Sequence, residues 1–400
     1  MYSPVSQSHL TRRFYDQSPY PPPRPARARR WRLAPMGWML SIDQVRHPLP
    51  RRVLVAGCGT GSEAFMLQRA LRDAEVVAVD FSSNSIRIAR QTQTKSATGK
   101  RVRFIKADLT QPGFGRAVGG EFDLIVCHGV LSYIPKPVVA LKNLARCLRP
   151  DGLLYLGVNG ASHFSASLRP VLSRLGIDVA KMPRDASWRR LLQMWEAVEG
   201  GAKGGPLTRL PDWYLGGDFF GPVLHNLPLN RWTELGRKAG LYLRASLWAH
   251  RALRPMIASE ATQLLMPHSR ADVCELLDLM HPTSFHRLIL ARQPTANPPW
   301  GDRTQMLSWR PAPTGLYEIS TRPRKKRTDA WPVILLKSGA LDTKFEWPMP
   351  QWEFEILRRC DGTKPLGQLL HEIGRGASAA QFSEHLFLLY QFAVLNVFPP

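Results

Sequence analysis

The chain has 400 residues, 44% of them hydrophobic and 21% charged, the composition of a folded protein large enough for two domains. No apolar run approaches the ~20 residues of a membrane helix, no apolar signal stretch opens the chain, and five scattered cysteines (58, 127, 147, 274, 360) form neither a disulfide framework nor a metal-binding spacing, which points to a reducing, cytoplasmic setting. The balance of 54 basic to 31 acidic residues, a net charge of +23, keeps anionic partners such as nucleic acid, acidic protein surfaces or anionic lipid open beside a plain arginine bias.

Residues 1–35 are rich in Pro and Arg and poor in periodic apolar residues, and read as an extended arm. From 51 to 160 strand and helix patterns alternate, with strands expected at 52–56, 75–80, 102–106, 122–127 and 153–158. Ala64, Leu67 and Leu71 mark the helix after the first strand, and Val138, Leu141, Ala145 and Leu148 the one before the last. Leu148-Arg-Pro-Asp-Gly152 reads as a turn. This alternation implies a parallel sheet covered on both faces.

Residues 160–228 break the rhythm with paired glycines and isolated aromatics, and read as an insertion with one helix near 186–198. A helix at 230–239, stopped by Gly240, leads to a strand at 241–248. After a helical excursion, a strand at 286–292 completes an antiparallel pair ending the sheet. Pro294 to Pro299 forms a linker. Beyond it, helices at 351–360, 365–373 and 379–393 with a closing strand at 394–398 suggest a small winged-helix-like module. The expected organisation is an arm and cap over 1–50, a doubly wound α/β domain over 51–293 with the insertion 160–228, and a C-terminal module over 300–400.

The chemistry concentrates where the first strand breaks into Gly57-Cys58-Gly59-Thr60-Gly61-Ser62. A strand, tight glycine turn and helix start present backbone amides to a ligand. A dinucleotide fingerprint would need glycine where Ser62 stands. Asp80 ends the second strand, placed to accept from ribose hydroxyls. Asp108 follows the third in Lys-Ala-Asp-Leu109, where a carboxylate can accept from an adenine amino group or cap the next turn.

As a set, these residues resemble the class I S-adenosylmethionine-dependent methyltransferases, closely over 50–160 and loosely over 229–293. The resemblance implies a mostly parallel, seven-stranded Rossmann-like sheet and S-adenosyl-L-methionine as cofactor. By it, Gly57, Cys58, Gly59 and Gly61 approach the methionine and ribose, Asp80 holds the ribose hydroxyls, and Phe81, Asp108 and Leu109 border the adenine. Val55 stands where many members carry an acid. The arm Tyr15-Asp-Gln-Ser-Pro-Tyr20-Pro, the stretch from Met266 and the Asp361-Gly-Thr363 helical module are similar to bacterial regulatory-domain methyltransferases, which include protein-lysine methyltransferases. This implies that the arm folds over the cofactor with Tyr15 or Tyr20 as lid.

Methyl transfer chiefly needs alignment of nucleophile, methyl and sulfur. Candidates for assisting the nucleophile lie where the fourth and fifth strands end: His128 (also a cofactor neighbour), Tyr133 and Asn159, with His163 a further possibility in the insertion. Each has a structural alternative. Asp123 begins the fourth strand, at the opposite end, and reads as structural. Trp188, Trp195, Trp213 and Tyr214 line a substrate pocket or form core. The acceptor classes left open are a protein side chain, a small metabolite and RNA, the last kept by the basic patch Arg322-Pro-Arg-Lys-Lys-Arg327. A non-catalytic cofactor-binding adaptor is the alternative of another kind.

Overall fold

The computed structural model describes residues 4–22, 39–40, 47–95, 102–176, 193–194, 196–197, 221–247, 262–322, 333–338, 343–374 and 380–400. The chain divides into two compact units, one of residues 1–32, 50–241 and 282–286, the other of 33–49, 242–281 and 287–400.

Seven strands form one sheet in the order β3-β2-β1-β4-β5-β7-β6. They are β1 (Arg52–Ala56), β2 (Glu75–Asp80), β3 (Val102–Lys106), β4 (Phe122–His128), β5 (Leu148–Asn159), β6 (Tyr242–Ser246) and β7 (Phe285–Ala291). The first five pair in parallel, and β6 and β7 are antiparallel. Val53–Val55 and Val76–Val79 are fully buried, as strands covered on both faces require. Chain order reverses between β1 and β4, which places the ligand crevice of such a sheet at their carboxyl ends.

The first unit carries α1 (Pro4–Gln17), α2 (Ser62–Ala70), α3 (Ser83–Thr94), α4 (Phe114–Val118), α5 (Pro137–Cys147), α6 (Phe164–Arg174) and α7 (Leu229–Arg237). Gly240 ends the run after α7 in left-handed conformation, φ 74°, as expected. Two expectations fail. Residues 4–17 are a helix docked on α3, not an extended arm; Arg12 and Asp16 tie it to residues 96 and 66 positions away, which periodicity does not show. The Leu148–Gly152 segment is no turn: Leu148 already pairs with Phe122, and the next pairing, Leu124 with Leu153, leaves a bulge inside β5. Most of the helix expected near 186–198 lies outside the described residues.

In the second unit, β8 (Arg310–Pro313) pairs antiparallel with the closing strand β12 (Leu395–Phe398). A second antiparallel sheet joins β9 (Glu318–Arg322), β10 (Val333–Ser338) and β11 (Thr343–Pro348), strands that the helical patterning did not indicate. Helices 351–359, 366–372 and 380–391 follow the expected pattern, and Trp347, Tyr390, Phe387 and Phe392 are buried among these elements. All five cysteines are buried free thiols. Among the described residues, no helix is long and apolar enough to cross a membrane.

Candidate functional site

The loop after β1 turns because Gly57, Gly59 and Gly61 all hold positive φ (75°, 51° and 93°), which disfavours other residues. Protein atoms fill the space beside each: a Cβ would meet Val130 at Gly57, the Tyr20 carbonyl at Gly59, and Phe104 at Gly61. The loop amides are largely spoken for. Gly57 and Cys58 both donate to the Val79 carbonyl, Gly61 donates to the Cys58 carbonyl, and Gly59 donates to Asp80 Oδ2 at 2.9 Å. The start of α2 differs: its N-cap Gly61 supplies no side-chain cap, and the first turn of a helix left so favours an anion.

Asp80 is 8% exposed. Its Oδ1 accepts from Ser82 N at 2.8 Å, while its Oδ2 takes Gly59 N. Burial raises its pKa to about 6, against the opposing pull of these backbone N–H groups. The Phe81 amide adds a third N–H, which still leaves lone-pair capacity on the carboxylate for a ligand hydroxyl. Cys58, 4% exposed, has its thiol pushed well up, first by burial and then by the charge of Asp80.

The N-terminal segment closes over this corner. Tyr15 meets Phe81 edge-on, ring centroids 6.0 Å apart. Asp16 Oδ1 accepts from Ser82 Oγ at 2.6 Å, and the Asp16 carbonyl accepts from Asn84 Nδ2 at 2.9 Å. Arg12 pairs with Asp108 Oδ2 at 3.1 Å. The other Asp108 oxygen caps the next turn, accepting from Thr110 N and Oγ1, so the capping alternative for Asp108 is realised. Thr60 Oγ1 donates to the Pro21 carbonyl. The Leu109 side chain is buried, and its carbonyl accepts from Asn143 Nδ2 at 2.8 Å.

The candidates on the other side of the crevice fall into two groups. Half-buried His128 stacks on Tyr155 and bonds its hydroxyl through Nδ1 at 2.9 Å, with Phe285 5.1 Å away. Tyr133 and Asn159 come together, with Asn159 Nδ2 3.4 Å from the Tyr133 hydroxyl. The Asn159 backbone is pinned: its N–H donates to Ser132 Oγ at 2.8 Å, and its carbonyl accepts from Trp232 Nε1 at 2.9 Å. His163 caps α6, and burial lowers its pKa to about 4. Asp123 accepts from the Arg51 and Arg52 amides at 2.8 Å each, the structural role expected. Trp188, Trp195, Trp213, Tyr214 and residues 323–327 lie outside the described residues.

Three participants were missed from sequence. Arg12 and Asp16 act across 96 and 66 residues and carry no local signal. Glu63, in the first turn of α2 and 7% exposed, adds its charge to the burial that pushes up both Cys58 and Cys127. Its place two residues after Gly61 was a readable signal, given the missing acid at Val55.

Residues 54–154 match the family described as a methyltransferase domain. The chain is similar to the release factor glutamine methyltransferase of Chlorobaculum tepidum, 37% identical over 84 residues, 21% of this chain and 28% of that protein. It is also similar to the ubiquinone biosynthesis O-methyltransferase of Dechloromonas aromatica, 31% identical over 117 residues, 29% of this chain and 47% of that protein. The chain thus spans less than half the length of these curated relatives. PKMT2 from Rickettsia typhi, solved in complex with AdoHcy, shares the fold with a TM-score of 0.57 at 15% identity, covering 91% of this chain and 75% of that one.

Proposed function

We propose, from a chain whose residues 54–154 are a class I S-adenosylmethionine-dependent methyltransferase domain, that the whole protein transfers a methyl group to a nucleophilic acceptor, a protein side chain or a small metabolite, in the cytoplasm. The observation that carries this is the buried Asp80 carboxylate locked onto the glycine loop at the carboxyl end of β2.

The residues fit an adenosyl group bearing an amino-acid tail. Asp80 takes the ribose hydroxyls and Phe81 flanks the base. Tyr15 and the Tyr20–Pro21 backbone, already seated at this corner, form the lid. The uncapped start of α2 suits the tail carboxylate. Glu63 supplies the negative charge for the tail ammonium that Val55 does not. Because Asp108 is engaged by Arg12 and Thr110, its share in base recognition is read as anchoring the lid.

When bound, the cofactor supplies a methyl on a positively charged sulfur. That methyl would pass to the acceptor's lone pair, with the bonding pair left on sulfur. The chain has only to align the acceptor from the β4 and β5 ends, where His128, Tyr133 and Asn159 stand, and keep water out. The two curated relatives act on different acceptor types by name, so neither type is carried over. RNA is the lesser reading, since no aromatic-interleaved RNA-binding motif accompanies the basic patches in the sequence.

Purified protein incubated with methyl-labelled S-adenosylmethionine and a cell lysate tests the reading. Label in a protein band or a small-molecule fraction supports it; label in RNA moves the acceptor to the lesser reading. Cofactor binding with no transferred label in any fraction leaves an adaptor instead.

A further inference from the structure

One buried polar chain at the end of β5 has a direction that can be read from its far end. His163 is the N-cap of α6, its Nδ1 accepting from Ser165 N at 3.4 Å. With its pKa lowered to about 4 by burial, the ring is neutral near pH 7 and Nδ1 carries no hydrogen. The Ser165 hydroxyl, 2.6 Å from that same Nδ1, must therefore donate to it. Ser165 Oγ is then an acceptor toward Asn226, which orients the Asn226 amide with Nδ2 toward Oγ at 3.1 Å. Asn226 Oδ1 is left to accept, and it takes Asn159 Nδ2 at 3.1 Å. Each link fixes the next, so Asn159 cannot flip without reversing the cap.

The consequence falls on Asn159 Oδ1. Asn159 is 1% exposed, and this oxygen has no hydrogen-bond partner among the described residues. A buried carbonyl left without a donor is costly, so an oxygen held in that state by three neighbours invites a ligand donor. It lies two residues past Gly157, the pairing partner of His128, at the end of the sheet where the acceptor must enter.

We infer that His163, Ser165 and Asn226 are positioning residues that aim Asn159 Oδ1 at the methyl acceptor, and that the acceptor is a nucleophile that keeps a hydrogen while it attacks, an amine or amide nitrogen. This rests on the methyl-transfer reading above. A nitrogen donates one N–H to Oδ1 while its lone pair forms the bond to carbon; the carbon–sulfur pair goes to sulfur, and the surplus proton leaves the alkylated nitrogen for water. A carboxylate or phenolate has no hydrogen to give, and its lone pairs would face those of the carbonyl.

The test uses the full chain, methyl-labelled S-adenosylmethionine and cell lysate, with AdoHcy calorimetry alongside. The wild type is expected to yield methyl on nitrogen, stable to base. Asn226→Ala, which frees the Asn159 amide, should lower label transfer by about ten-fold or more with AdoHcy affinity unchanged. Asn226→Asp should restore part of it, since its carboxylate still accepts from Asn159 Nδ2 while the single Ser165 hydrogen turns from His163 to the carboxylate. If Asn226→Ala fails to fold, Ser165→Ala reads the same relay, with a several-fold loss expected. Base-labile or oxygen-bound methyl as the sole product, or full transfer by both alanine variants, overturns the inference alone. A wild type that binds AdoHcy but transfers nothing overturns the methyl-transfer reading, and this inference with it.

Discussion

The Tyr20 carbonyl oxygen stands 2.0 Å from where a Cβ on Gly59 would lie, so the N-terminal segment is seated on the cofactor loop at a residue that must be glycine to admit it. Gly59→Ala sets a methyl against that carbonyl and strains a backbone at φ 51°. The cost is of order 1–3 kcal/mol. We expect a lower melting temperature and, more tellingly, trypsin cleavage at Arg12 and Arg13 several-fold faster than in the wild type. A variant as resistant as the wild type would mean that residues 4–22 are not held by this contact.

Glu63 is the acid nearest to replacing the one absent at Val55. Glu63→Gln removes its charge from beside Cys58 and Cys127 while keeping its shape. If it faces the cofactor's ammonium, S-adenosylmethionine affinity should fall about ten-fold, the equivalent of about 1.4 kcal/mol, without loss of thermal stability. Calorimetry and a thermal melt together separate this from simple misfolding.

His163 gives the fold a readable acid sensitivity. Its pKa drops from 6.5 to about 4 because burial disfavours the charged ring. The unfolded chain therefore takes up a proton first as pH falls, so stability is full above about 6.5 and is lost down to about 4, by roughly 3 kcal/mol. Asp80 works in the opposite sense: with its folded pKa raised from 3.8 to about 6, stability rises as pH falls through that range. Comparing wild type with His163→Asn, which keeps an N-cap acceptor, cancels the Asp80 contribution. Urea titrations between pH 7 and 4.5 should show the shallower decline in the variant; parallel declines would remove His163 as the cause.

The sheet was legible because parallel strands buried on both faces must be aliphatic runs, and Val53–Val55 and Val76–Val79 are such runs. Asp80 was legible for the same reason, standing where a run stops. The helix over 4–17 was not, because Arg12 reaches Asp108 and Asp16 reaches Ser82 over stretches of chain that periodicity does not show. The relay behind Asn159 was hidden by distance: Asn226 is 67 residues away and comes back through the insertion. His128, expected from its strand-end position, is tied to Tyr155, a pairing that spans two strands and has no pattern in either.

The claim on which the rest depends is that Asp80 holds an adenosyl ligand against the loop at residues 57–61. Titration of the full chain with AdoHcy by calorimetry, for wild type and Asp80→Ala at pH 8, where the carboxylate is ionised, tests it most directly. Losing two charge-assisted hydrogen bonds to ribose hydroxyls should weaken binding by about 2–4 kcal/mol, a thirty-fold or greater rise in Kd by order of magnitude. Equal affinity in the two proteins, both folded, would contradict it.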